Sequence, residues 1–342
     1  MQAGQRRGDR FLCQRHWCLS SSVTPSLTSL RDSLPEIIPL KEYQKFALDL
    51  FDCRLAIQLT GAYGHVLSAD RFRGFYAGKA RPRAGAGLLT CTILDVKPHT
   101  QPTVALSGAK KVLADYPVFQ YDVTRKMVAD HGLNEDIIVQ KARLAFFYPQ
   151  KREMTAFACE TSAEKNEQAI HTFLFLSAAF LTAEFGGLLL HAYGLVIDGL
   201  AAAIIGPPEA GKSTAGNLMQ KDAVLSDDII GITDIGGRPM AHASPLASSG
   251  ITDGPCRAPL AALFFPVKSD QFDVRPIHPR DAFLRYLEEH ADYVGRMVKS
   301  IRILYFKLAH TLFQKVPAYE LHFPVDFVDT DRVRDVMSRF DI

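Results

Sequence analysis

Gly206-Pro207-Pro208-Glu209-Ala210-Gly211-Lys212-Ser213-Thr214 fits the spacing G-x-x-x-x-G-K-[S/T] at every position. A glycine at each end lets the backbone curl until successive N–H groups point inward at a polyphosphate. In such a P-loop Lys212 reaches the β- and γ-phosphates and the Ser213 hydroxyl ligates Mg²⁺. The helix opening near Ser213 adds its positive N-terminal end to the same anion site.

The flanking residues suit that reading. Leu200-Ala201-Ala202-Ala203-Ile204-Ile205 is a continuous apolar run, the pattern of a strand buried on both faces, and Ser213 to Gln220 reads as a helix. Ala192 to Ile197 is a second apolar run, separated from the first by Asp198-Gly199 alone. A two-residue Asp-Gly between apolar runs predicts a hairpin, so the strand entering the loop pairs antiparallel with its predecessor. Behind the loop, Ala223-Val224-Leu225 is a short strand ending in Ser226-Asp227-Asp228. Two adjacent carboxylates at this distance suit a Mg²⁺ contact and a general base. Neighbouring strand residues face opposite sides, so the two do not share one task.

Leu190 to Gly199, then Gly206 to Thr214, then Leu225-Ser226-Asp227-Asp228 resemble, in order and in proximity, the catalytic core of HPr kinase/phosphorylase and its relatives. Those proteins share a nucleotide-binding core with phosphoenolpyruvate carboxykinase. The resemblance covers about residues 185–330, most firmly 190–230. It implies an α/β fold with a mixed sheet around a P-loop core of that type. It also implies an ATP- and Mg²⁺-dependent kinase that phosphorylates a hydroxyl, a serine of a protein or peptide. Carried over residue by residue, Gly206 through Thr214 bind nucleotide, Lys212, His191, Asp227 and Asp228 are catalytic, and Ser213 and Asp228 hold the metal. Asp227 is the expected base. The family's second signature, an acidic residue followed by an Arg-Gly-rich loop, has no counterpart in Gly231 to Leu260. Gly236-Gly237-Arg238-Pro239 and Cys256-Arg257-Ala258-Pro259 are the nearest pieces, so the chain looks like the divergent relatives, some of which accompany peptide-modification pathways. A small-molecule kinase on the same core and a nucleotide-sensing module with little turnover stand as alternatives. Arg238 and Arg257 are the candidate cations for the transferring phosphoryl group. The residues do not separate ATP from GTP.

The rest of the chain is read around this core. With 342 residues, 47 % of them hydrophobic, two domains of ordinary size can each bury a core. A net charge of +2 implies no strong field toward nucleic acid or a membrane. Six scattered cysteines point to a reducing, cytoplasmic setting. Residues 1–36, rich in Arg and Ser, read as a disordered leader, 37–160 as an N-terminal α+β or mostly β accessory domain for substrate recognition, and 161–342 as the kinase-type domain. In the accessory part, strands are expected at 46–51, 54–59, 87–94, 118–123 and 145–148. Arg71 to Tyr76, with Lys79, Arg81 and Arg83, reads as a solvated strand face and loop.

Thr161-Ser162-Ala163-Glu164 is a capping box opening a helix to about Glu184, too short to span a membrane and best placed as a buried link between the domains. After the aspartates come a strand at Ala261 to Phe265 stopped by Pro266, helices at 279–290 and 297–313, and a strand at 319–323. Asp329 caps a last helix running to Phe340. The stripe Met297, Ile301, Leu304, Leu308 and Leu312 belongs to the core or to a homo-oligomer contact. Ser244 to Gly250 is either a mobile loop over the nucleotide or an ordinary surface loop.

Overall fold

The structure, a computed structural model, describes residues 43–60, 66–67, 70–76, 88–95, 137–140, 143–148, 153–158, 163–235, 237–246, 252–253, 256–295 and 299–340. The expected leader, the run 118–123, the cations Lys79, Arg81 and Arg83, the capping residues Thr161 and Ser162, and Met297 lie outside the described residues. The fold is mixed α/β and rests on two sheets.

The N-terminal sheet consists of β1 (Tyr43–Leu50), β2 (Cys53–Thr60), β3 (Leu88–Asp95), β4 (Ile137–Gln140), β5 (Arg143–Tyr148) and β6 (Glu153–Ala158). Their spatial order is β1-β2-β3-β6-β5-β4. β2, β3 and β6 run parallel in the middle, and antiparallel pairs finish both sides. Burial alternates along β2, where Cys53, Leu55, Ile57 and Leu59 are inside, so this sheet hides one face. Helix α1 (Ala163–Glu184) covers it at β2, β3 and β6 and also touches the second sheet. Ile170, Phe173, Leu174, Leu176, Ala179 and Leu181 are buried around most of its circumference, as a helix between two layers must be. Residues 71–76 are not the solvated strand that their charges suggest. Asp70–Phe75 is a 3₁₀ turn that buries Phe72 and Phe75, spaced three apart on one side.

The second sheet comprises β7 (Leu188–Ile197), β8 (Leu200–Ile205), β9 (Ala223–Ser226), β10 (Ile229–Ile235), β11 (Arg238–His242), β12 (Arg257–Lys268), β13 (Asp273–Ile277) and β14 (Ala318–Phe323). The strand path is β11-β10-β7-β8-β12-β14-β13, with β9 beside β7, and β11 pairs again with β12 so that five strands close on themselves. β8, β12 and β14 are mutually parallel, and the rest of the path is antiparallel. Helices α2 (Lys212–Leu218), α3 (Pro279–Gly295), α4 (Lys299–Lys315) and α5 (Thr330–Ser338) complete the described residues. The two faces of β7 and β8 separate into different cores. Ala192, Val196, Ala201, Ala203 and Ile205 join the cluster that includes α1. Tyr193, Leu195, Ile197, Ala202 and Ile204 pack with Ala215 of α2 and Val333 and Met337 of α5.

Three expectations need correction. β12 does not stop at Pro266 but runs through it to Lys268. Its pairing with β8 has already ended at Phe264, so the proline stands where that neighbour is gone. The stretch after the aspartates, to which the sequence reading assigns no element, forms the β10–β11 hairpin. β13 was likewise not anticipated. Ile301 and Leu312 are buried, and Leu304 and Leu308 pack against the main core, which puts the helical stripe in the core. The Asp329 carboxylate accepts from the Arg332 amide at 3.1 Å, the expected cap. No described helix is long and apolar enough to cross a membrane.

Candidate active site

The β7–β8 hairpin carries the loop to its place. Asp198 and Gly199 have φ of 49° and 75°, the left-handed pair that a two-residue turn of matching twist requires. Register runs from Ile197↔Leu200 to Ala192↔Ile205, and the loop leaves β8 at once. Its backbone is tight. Glu209 and Gly211 adopt φ of 65° and 99°. A Cβ on Gly206 would lie 3.0 Å from the Ala210 Cβ and 3.5 Å from Pro266, and one on Gly211 would lie 3.2 Å from the Phe323 ring. Lys212 is only 8 % exposed. Its Nζ donates to the carbonyls of Gly206 at 2.8 Å and Pro207 at 3.1 Å, which sets the ammonium inside the curl.

Helix α2 is seated on Tyr193, whose hydroxyl donates to Asn217 Oδ1 at 3.0 Å. Burial, then the nearby charges of Asp227 and Asp253, push this phenol up to about 12, so it stays a protonated donor.

The paired aspartates lie across β7 from the loop. Ser226 pairs with Gly194 and Ile229 with His191, so Asp227 and Asp228 fall opposite Tyr193 and Ala192. The Ala192 amide donates to the Asp228 carbonyl at 2.8 Å. The buried Ser226 hydroxyl accepts from the Asp228 and Ile229 amides at 3.3 and 3.2 Å, fixing the bend. Here the two carboxylates diverge. Asp228 Oδ1 lies 2.8 Å from His191 Nε2. Asp227 Oδ1 is buried and has no hydrogen-bond partner. Strands are spaced roughly 4.8 Å apart, so the loop start and the aspartates flank β7 at about 10 Å from each other.

Other sequence candidates lie elsewhere. Arg238 pairs with Ile235 at the far end of the β10–β11 hairpin, six residues beyond Ile229, or roughly 20 Å along the strand. Arg257 bonds the Asp52 carboxylate at 3.1 and 3.2 Å. Neither is therefore placed as the cation for a phosphoryl group. Ser244, Pro245 and Leu246 are buried, and the Ser244 amide donates to Leu225 O at 3.2 Å, unlike the start of a mobile loop. Residues 247–250 lie outside the described residues.

A cavity of about 470 Å³, not expected from the sequence, lies beside the loop, lined by Gly211, Thr214, Lys268, Asp270, Phe323 and Val325. It opens at the carboxyl ends of parallel strands β8, β12 and β14, the edge at which open α/β sheets bind ligands. Three distant segments build it, so no local pattern could have announced it. Among the described residues, no three His, Cys, Asp or Glu side chains gather as a metal cluster.

No protein-family model matches the chain, and no curated protein matches it. Among solved structures, the Hpr(Ser) kinase/phosphatase from Coxiella burnetii aligns with 44 % of this chain and 93 % of its own, at 14 % identity and a TM-score of 0.22. The functional reading therefore rests on the site's own geometry.

Proposed function

We propose that the protein is an ATP- and Mg²⁺-dependent kinase that phosphorylates a hydroxyl, a serine of a protein or peptide. One observation carries this reading: the loop that holds a buried lysine and the strand end that bears a buried, unpartnered carboxylate oxygen flank the same strand, β7. Gly206 to Thr214 bind the polyphosphate, with Lys212 on its outer phosphates. The cavity at Thr214 and Phe323 lies beside the loop and suits the nucleoside. Asp227, whose Oδ1 has acceptor capacity to spare, takes the proton of the attacking hydroxyl. His191, bonded to Asp228, fixes that second carboxylate. The donor set is hard oxygen throughout, as Mg²⁺ prefers; Ser213 and Asp228 would hold the ion, which neutralises charge on the phosphate oxygens. Residues 161–342 are the kinase domain on this reading, 37–160 its accessory domain, and the setting is the cytoplasm.

The test is transfer of γ-labelled phosphate from Mg-ATP into a lysate of the source cells, with wild type beside Lys212→Ala and Asp227→Asn. A labelled protein or peptide band lost in both variants supports the kinase and supplies its acceptor. No label anywhere, with nucleotide still bound by wild type, overturns the protein-kinase reading.

A further inference from the structure

The turn joining β1 to β2 reaches out of the N-terminal sheet and lands on the second one. Phe51 and Asp52 have φ of 55° and 63°, the left-handed pair of a two-residue turn between Leu50 and Cys53, and at Phe51 that conformation is uncommon for so bulky a residue. Phe51 is 4 % exposed. Its ring covers the α-carbon of Gly231, where a Cβ would come within 2.0 Å of Cδ1 and 2.4 Å of Cε1. His242 meets the ring edge-on at 6.3 Å, and Asp52 is the residue bonded to Arg257.

Gly231 is two residues past Ile229 on β10; Ile229 pairs with His191, and Gly231 with Leu189. Opposed residues of antiparallel strands share a face, as do residues two apart on one strand. Phe51 therefore sits on the face of β7 that bears His191, about 7 Å along the strand from it. Helix α2, over Tyr193, occupies the same face on the other side. His191 stands between the nucleotide-loop helix and a turn from the other sheet.

We propose that Phe51 is a positioning residue for the His191–Asp228 pair. By pressing on Gly231 it holds the start of β10, which Asp228 immediately precedes, in register with β7. Docking of the N-terminal sheet is thereby tied to the acceptor side of the site. The functional meaning rests on the proposed kinase reading; the geometry does not.

Hydrogen exchange read by mass spectrometry on the full chain tests it, comparing wild type with Phe51→Ala and Gly231→Ala. The second variant displaces the ring without altering the N-terminal sheet. Segments 188–193 and 227–233 should exchange about tenfold faster or more, while segment 206–218 and the affinity for tripolyphosphate stay as in wild type. Phe51→Leu should restore most of the protection. In the transfer assay, kcat should fall with KM for ATP unchanged. Unaltered exchange in the two segments of folded variants would overturn the proposal. So would equal acceleration across the whole chain, or failure of both variants to fold, since either assigns Phe51 to the core alone. If wild type transfers no phosphate, the kinase reading falls while the exchange data still decide this one.

Discussion

Gly216 and Tyr193 touch so closely that no side chain can stand between them: a Cβ on Gly216 would lie 2.3 Å from Cε1 and 2.4 Å from Cδ1 of the ring. Glycine inside a helix costs roughly 0.5–1 kcal/mol relative to alanine, and here close approach explains it. Gly216→Ala should force α2 off β7, lowering stability by the ~1–3 kcal/mol of an overpacked core. Nucleotide affinity should drop as well, because the loop moves with its helix. Thermal unfolding and titration with a fluorescent ATP analogue check both, and an unchanged Tm and affinity would refute the packing argument.

Asp227→Asn should separate stability from function. A carboxyl oxygen buried without a partner is a cost that the folded chain carries, and an uncharged amide lessens it. The variant is expected to unfold at the same temperature as wild type or a few degrees higher, yet to lose phosphate transfer. A marked fall in Tm would show that Asp227 is part of the structural hydrogen bonding after all.

Lys212→Ala removes the ammonium that bonds the Gly206 and Pro207 carbonyls. The bond to Gly206 is buried and the one to Pro207 half-buried, so the stability loss should be about 1–3 kcal/mol. Mg-ATP affinity should weaken by about tenfold or more, which is 1.4 kcal/mol per decade. Lys212→Arg should not rescue it, since a planar guanidinium does not fit the curl of a compact ammonium. Equal affinity in isothermal titration of wild type and Lys212→Ala would remove the loop from the nucleotide site.

His242 supplies a pH test. Burial above all, opposed by the Asp52 charge and reinforced by Arg257, lowers its imidazole from 6.5 to about 4. The unfolded chain therefore binds the proton more readily than the folded one. Stability from this residue is complete above pH 6.5 and is lost as pH falls toward 4, by on the order of 3 kcal/mol across that window. Chemical unfolding at several pH values should show wild type losing its margin over His242→Gln within this range. Parallel curves for the two proteins would mean that the imidazole titrates normally.

What the sequence disclosed was local. The turn Asp198-Gly199, the loop that follows Ile205 and the Asp329 cap each depend on residues only a few positions apart, and each stands where the residue pattern places it. Pro266 was misleading because a proline is a stop only where a neighbouring strand needs its amide, and the pairing with β8 has already ended at Phe264. The hairpin from Ile229 to His242 was hidden by its own chemistry. Gly231 has no side chain to show a pattern, and its partner Phe51 lies 180 positions earlier in the chain. The same distance concealed the destination of Arg257, whose ion pair with Asp52 no spacing rule could foresee. The pairing of His191 with Asp228 rather than Asp227 follows no spacing rule either, because the bend at Ser226 interrupts the simple alternation of a strand.

Because β11 bonds β12 as well as β10, the strand path of the second sheet, which leaves β9 aside, has one free end instead of two among the described residues. That end is β13, where Arg275 is exposed and Pro276 cannot donate an amide. A strand from another molecule seeking to extend this sheet would meet a short, charged rim with a gap in its hydrogen bonds. Closure of the ring thus guards the sheet that bears the loop against end-to-end growth, and it does so without a side chain being spent on the other edge.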